Sequence, residues 1–305
     1  MNSKITLVTV TLVAVLIGAN FTALKFALDH TTPLMLAGLR TVVGGTFLLS
    51  FAVLRGEKIP TRREDLQRIF VVSFSITTVS SGLLVVGVSR VPAGLASLIS
   101  STMPLFTAVL VLLLLGSRPT RLGIIGLLIG FAGTAVLASP SLGGESAAFG
   151  ILALVLSALA WSFGTVFMKW KDFSHISPVM IVAVQLPMSA AVLIPFALIV
   201  EGTGGTDWSL GLFVPLFYAA VPANAVTFAL MATVVRRATP TQAASTAYMI
   251  PLSGVFFGWL IRDERLGLVE VLGGALVVLG VYLVVTASAR AAALPRRGQK
   301  GAVGH

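Results

Sequence analysis

Apolar residues run along this chain in ten long stretches, near 6–24, 33–54, 68–88, 92–115, 122–138, 148–168, 178–200, 209–234, 240–261 and 268–286. Short polar or Pro/Gly-containing segments separate them. A helix rises about 1.5 Å per residue, so stretches of this length reach or approach the ~30 Å of hydrocarbon in a bilayer. Lipid offers backbone amides no water to bond, and a helix satisfies them within its own segment. The pattern predicts an all-α integral membrane protein with ten transmembrane helices. The first stretch follows Lys4 and is long for a signal-peptide core. With nine more behind it, it reads as an uncleaved first helix.

Composition narrows the class. Of 305 residues, 56% are hydrophobic and 10% are charged, with a mean hydropathy of +1.00; soluble domains carry about 25% charged residues. The net charge is +10, which raises nucleic-acid binding as a reading. The Lys and Arg residues, however, cluster between the apolar stretches, as topology signals do. The lipid bilayer is the expected partner, and nucleic acid is not. With the N-terminus in the cytoplasm, sixteen basic residues fall on the cytoplasmic side: Lys4, Arg55, Lys58, Arg62, Arg63, Arg68, Arg118, Arg121, Lys169, Lys171, Arg236, Arg237, Arg290, Arg296, Arg297 and Lys300. Four fall outside: Lys25, Arg90, Arg262 and Arg265. This bias places both termini in the cytoplasm of a bacterial-type inner membrane. The absence of cysteine excludes disulfides, thiolate metal sites and a Cys nucleophile. His30, His175 and His305 fall outside the apolar stretches, so no metal or other cofactor is expected, and no Walker motif points to ATP.

The two halves of the chain match. Val91-Pro-Ala-Gly-Leu-Ala-Ser and Met103-Pro104-Leu105 answer to Thr239-Pro-Thr-Gln-Ala-Ala-Ser and Ile250-Pro251-Leu252. Gly126 and Gly133 answer to Gly273 and Gly280 at an offset of 147, and Thr32-Pro33-Leu34-Met35 to Ser177-Pro178-Val179-Met180 at 145. Five helices per copy is an odd number, so the second copy enters the membrane from the opposite side. The expected architecture is therefore two inverted five-helix repeats, 1–143 and 144–289, followed by a disordered basic cytoplasmic tail, 290–305. Inverted repeats are the signature of alternating-access carriers, with substrate near the midplane between them. Pro104 and Pro251, inside the fourth and ninth helices, each remove a backbone hydrogen bond. They are candidate hinges; a simple packing kink is the plainer alternative.

With these features in place, the sequence resembles the drug/metabolite transporter superfamily, and within it the EamA-type ten-helix exporters. The resemblance rests on Gly18-Ala-Asn20-Phe21-Thr-Ala-Leu-Lys25, Pro33 with Arg40, Ala96-Ser97-Leu98-Ile99 with Pro104-Leu105-Phe106-Thr107, and Gly126 with Gly133. In the second half it rests on Pro251 with Asp263-Glu264-Arg265. It covers nearly the whole chain. It implies a non-enzymatic exporter of amino acids or similar metabolites, often of broad specificity. The sequence departs from the family pattern twice. Ser117 stands where an acidic residue would match Glu264, and the Trp common near Gly18 appears only in the second copy, as Trp161.

Among residues able to carry transport, Arg40 is the sharpest. It lies seven residues after Pro33, about 10 Å into the membrane. A charge there faces a cavity or a partner, or else snorkels outward. Glu270 sits at the edge of the tenth stretch and no acidic residue lies clearly inside a span, so a substrate carboxylate is a suitable counter-charge. The same feature disfavours proton-for-cationic-drug antiport. Gln185 matches Arg40 at offset 145. Asn20, Ser97, Ser101, Trp161, Tyr218, Asn224 and Tyr248 complete the candidate substrate-binding set. Bonding to backbone or to a neighbouring helix is the plainer alternative for each hydroxyl and amide. The Gly126-xxx-Gly130 and Gly254-xxx-Gly258 patterns read as close helix packing, with a dimer seam as the alternative, so both monomer and dimer stay open. The expected function is a secondary transporter for small zwitterionic or anionic metabolites. The competing readings are a membrane-embedded enzyme on lipid-linked substrates, which would want a nucleophile–base set, a multidrug exporter, and a channel, which would want a symmetric polar ring.

Overall fold

The computed structural model describes residues 3–139, 144–228, 230–231 and 240–293. Among these residues all regular structure is helical, and every predicted apolar stretch contributes a helix. In chain order these are α1 (Ser3–Leu28) and α2 (Pro33–Leu54), then α3 (Arg63–Val72, Ser73–Ser80 and Ser81–Val88) and α4 (Ala93–Ser100 and Met103–Leu115). The series continues with α5 (Arg121–Leu137), α6 (Gly144–Trp170), α7 (Pro178–Val200), α8 (Leu210–Ala220 and Val221–Val226), α9 (Pro240–Arg262) and α10 (Leu268–Ala293). Seven of these are long and apolar enough to cross a membrane, while α5 and the described part of α8 are shorter apolar helices. Of the tail expected to be disordered, 290–305, residues 290–293 instead continue α10, and the rest, from 294 on, lie outside the described residues.

Local chemistry sets the ends. Pro33 and Pro178 open α2 and α7, where a missing N–H costs nothing. Thr120 caps α5 through Gly123 N (3.2 Å), and Ser177 caps α7 through Met180 N (3.1 Å). Gly116, at φ 66°, closes α4 in the left-handed conformation.

Large apolar side chains such as Leu113, Leu128 and Ile199 lie on the outside, while Gly, Ala, Ser and Thr crowd the helix contacts. This arrangement is inside-out relative to a soluble core and suits a lipid surround. The tightest crossing joins α5 and α10. A Cβ on Gly126 would meet Gly280 O at 2.8 Å, and one on Gly133 would meet Gly273 O at 2.8 Å. The two helices therefore run antiparallel, with each glycine facing the match of the other. A second antiparallel pair joins α2 and α7, with Gly38 against Ile194 and Gly45 against Pro187. Two further sets of contacts correspond between the halves: α1 with α9 as α4 with α6, and α1 with α8 as α3 with α6. The glycines of both small-xxx-small patterns face other helices of the same chain. Gly254 lies under Ser97 of α4, and Gly258 under Glu264.

Two departures from regular α-helix stand out. The middle of α3 (Ser73–Ser80) and the end of the described α8 (Val221–Val226) are π-helical, with wide turns in two helices that correspond between the halves. α4 is interrupted at Ser101 and Thr102, just before Pro104. Its counterpart Pro251 lies within an unbroken helix.

Candidate substrate site and its gates

Arg40 is buried, at 5% exposure, one turn before Gly44 on the same face of α2. Gly44 lies against the Ala220 carbonyl of α8, where a Cβ would come to 3.0 Å, and Ala220 is the residue just before the π-helical segment. The Nε and Nη1 atoms of Arg40 have no hydrogen-bond partner. Asn20 Oδ1 on α1 and Gln185 Oε1 on α7 are also buried and unpartnered. The α2/α7 crossing puts Gly45 beside Pro187 and Gly38 beside Ile194, which centres the pair near residues 43–44 and 188–189. Arg40 and Gln185 thus flank that centre on opposite sides, each about 5 Å along the axis.

The other candidates fall into three settings. Tyr218 donates to Leu16 O (3.1 Å), tying α8 to α1 one turn from Asn20. Asn224 lies half-buried in the π-helical end of α8. The helices that carry Asn20, Arg40, Tyr218 and Asn224, namely α1, α2 and α8, pack on one another. Ser97 and Ser101 are buried in α4. Ser97 donates to Gly94 O (2.8 Å) and Pro251 O (3.3 Å), and Ser101 to Leu98 O (2.6 Å), so both hydroxyls are engaged with backbone. Trp161 sits on the outside of α6 at 42% exposure. Tyr248 stacks edge-on against Tyr282 of α10, at 5.8 Å between ring centroids.

Sequence reasoning missed a seam of hydroxyls along α3. Ser73 donates to Gln185 O (2.6 Å) and Ser75 to Ala160 O (2.6 Å). Thr78 donates to Ser189 Oγ (3.0 Å), Ser80 pairs with Ser157 (3.0 Å), and Thr77 is buried and unpartnered. The signal was the run Ser73-Phe-Ser-Ile-Thr-Thr-Val-Ser-Ser81 inside an otherwise apolar stretch. Also missed were carboxylates that hold helix starts. Glu201, just past α7, accepts from Leu34 N (3.0 Å) and Met35 N (3.0 Å) at the start of α2. At the opposite end of the same pair, Glu57 accepts from Ser177 Oγ at the start of α7. Glu264 accepts from Ala93 N (2.8 Å) and Gly94 N (3.0 Å) at the start of α4. Asp263 turns the chain back for this contact with φ 52°, a left-handed value that Asp tolerates better than most residues. The acidic spot at 263–264 is thus a clamp on a helix N-terminus, where backbone N–H groups favour a negative partner.

Long apolar helices, small-residue crossings and a buried arginine define a multi-pass membrane protein with a polar interior. The EamA-like transporter family model matches the chain twice, over residues 4–139 and 148–286, so the chain belongs to that family. It is 32% identical over 272 residues to the uncharacterized transporter YvbV of Bacillus subtilis, covering 89% of this chain and 88% of that protein. It is 30% identical over 272 residues to the uncharacterized inner membrane transporter YedA of Escherichia coli K12, covering 88% and 86%. To a probable amino-acid metabolite efflux pump of the same organism it is 29% identical over 284 residues, covering 90% and 92%. One solved crystal structure shares the fold with a TM-score of 0.64 at 18% identity, over 92% of this chain and 97% of that one. The family and the names of these relatives denote transporters, not enzymes.

Proposed function

We propose that the protein is a secondary carrier of the inner membrane. It exports small zwitterionic or anionic metabolites, amino acids among them, by alternating access between two inverted five-helix repeats, 1–143 and 144–289. The observation that carries this reading is Arg40: a guanidinium buried near the middle of the α2/α7 pair, with Nε and Nη1 unpartnered. An uncompensated charge at that depth costs several kcal/mol, and a substrate carboxylate bound bidentately offsets it. Asn20, Tyr218 and Asn224 on the adjoining helices supply polar groups for the rest of a small zwitterion, and Gln185 offers the corresponding contact across the centre. The carboxylates of Glu57, Glu201, Glu264 and Asp65 are engaged at helix ends and loops, which favours an anionic or zwitterionic cargo over a cationic drug.

The repeat reading is supported by the α5/α10 crossing. Exchanging residues at offset 147 maps the Gly126–Gly280 contact onto Gly273–Gly133, and the antiparallel course of the helices puts the exchanging axis across them. The π-helical segments in α3 and α8 are matched interruptions of the kind that mark carrier binding sites. The test is uptake and counterflow of radiolabelled amino acids in proteoliposomes, with and without a pH gradient. At least one amino acid is expected to move with the parent protein, and Arg40→Ala is expected to lower its flux at least about tenfold while remaining monodisperse in detergent. Normal flux in that variant would remove Arg40 from the site.

A further inference from the structure

Two His–Asp pairs stand at opposite ends of the antiparallel α2/α7 pair. At the Glu201 end, His30 Nδ1 lies 3.1 Å from Asp207 Oδ2, joining the α1–α2 connection to the α7–α8 connection. At the Glu57 end, His175 Nε2 lies 2.9 Å from Asp65 Oδ1, joining the α6–α7 connection to the start of α3. His30 and His175 are 145 apart, the offset that relates Pro33 to Pro178 and Arg40 to Gln185; Asp65 and Asp207 are 142 apart. Each pair takes its histidine from one half of the chain and its aspartate from the other. The α2 helix between them is 22 residues, about 33 Å. One contact is thus built twice, once per face, in a chain that has only three histidines.

We propose that these pairs are the two closures of the carrier, each holding its own face shut, so that access alternates by releasing one while the other stays made. Both are made in this structure, and both Arg40 and Gln185 are buried, at 5% and 7% exposure. The pairs are half-exposed rather than deeply buried, with side-chain exposures of 33% and 65% at one end and 43% and 8% at the other. Contacts of that kind are weak enough to break in a transport cycle. The Asp207 carboxyl is held below its ordinary range by the Ser209 hydroxyl and then by His30. Other charged groups near His30 are Asp29, paired with Arg262 at 2.7 Å, and Glu201 on the α2 start. Near His175 are Asp172, Arg68 and Glu64, with Glu57 on Ser177.

This inference rests on the alternating-access reading, and its test separates the two. The parent chain has no cysteine, so Arg40→Cys and Gln185→Cys are clean, mirror-related reporters. Each is labelled with a charged methanethiosulfonate in right-side-out and inside-out vesicles, normalised to an exposed cysteine on the face being labelled, Gly204→Cys outside and Lys58→Cys inside. Asp207→Asn is expected to speed labelling of the Arg40 reporter from outside about fivefold and to leave the Gln185 reporter unchanged. Asp65→Asn is expected to do the reverse from inside. His30→Gln and His175→Gln serve as second variants should an aspartate variant fold poorly. Equal effects of one variant on both reporters, or unchanged rates throughout, overturn the closures and leave the carrier reading intact. Reporters that no background exposes to either face overturn both.

Discussion

Arg40 shows what a single residue does when no described residue answers its Nε and Nη1. Its Nε and Nη1 atoms are buried without partners, so removing the side chain strands no other group. A structural arginine bonded to carbonyls would behave oppositely, because its loss would leave those carbonyls unpaired. Arg40→Leu is therefore expected to raise thermal stability in detergent, by about 2 kcal/mol on the scale of burying an arginine at mid-helix, while eliminating transport. A lower melting temperature would make Arg40 a structural residue. This residue was legible in the sequence because a charge inside an apolar stretch needs a reason. Ser97 and Ser101 were less so: a hydroxyl at helical spacing looks the same whether it faces a cavity or bonds its own backbone, and here both bond backbone. Glu264 was read only as an acid near a helix end. Its contact with the start of α4 depends on a fold-back at Asp263 and on a helix 170 residues away in sequence.

At the scale of elements, the ten apolar stretches and the glycine offsets carried the reading, and the interruptions inside helices did not. A proline announces itself, yet Pro104 follows a break in α4 while Pro251 leaves α9 continuous. Beside the break in α4, the Ser162 hydroxyl donates to Met103 O at 2.8 Å. The π-helical turn of α3 bonds Gln185 O and Ser189 Oγ of α7, tertiary partners that no local pattern encodes. The α5/α10 crossing, by contrast, was visible as matched glycines, and its geometry predicts their cost. A Cβ on Gly280 would fall 2.4 Å from the Gly130 backbone, which has no flexible side chain to yield. Gly280→Ala is expected to destabilise the protein by about 1–3 kcal/mol. Gly204→Ala, where nothing lies within 4 Å, is expected to change stability by less than about 0.5 kcal/mol. Paired thermal melts in one detergent check the contrast; equal shifts would mean that the crossing relaxes.

For the whole molecule, the decisive question is whether the two halves face opposite ways. The charge bias along the chain, the odd number of helices per copy and the antiparallel α2/α7 and α5/α10 pairs all point to inversion. None of these is independent of the count of crossings, so the measurement must read sidedness directly. Residues 56–58 and 202–205 serve this purpose, since they follow α2 and α7, which correspond between the halves, and lie at opposite ends of that pair. Gly204 has open space around it, and Lys58 is exposed. In a cysteine-free background, Gly204→Cys is expected to react with a membrane-impermeant maleimide in intact cells. Lys58→Cys is expected to react only after permeabilisation, as is a cysteine placed at Arg290. The pattern follows from helix length: about 33 Å of α2 separates the two sites, a distance that matches the hydrocarbon core and leaves no room for both on one side. Reaction of Gly204→Cys and Lys58→Cys from the same side would mean that α2 and α7 do not both cross, which would remove the inverted repeat and, with it, the assignment of His30–Asp207 and His175–Asp65 to opposite faces.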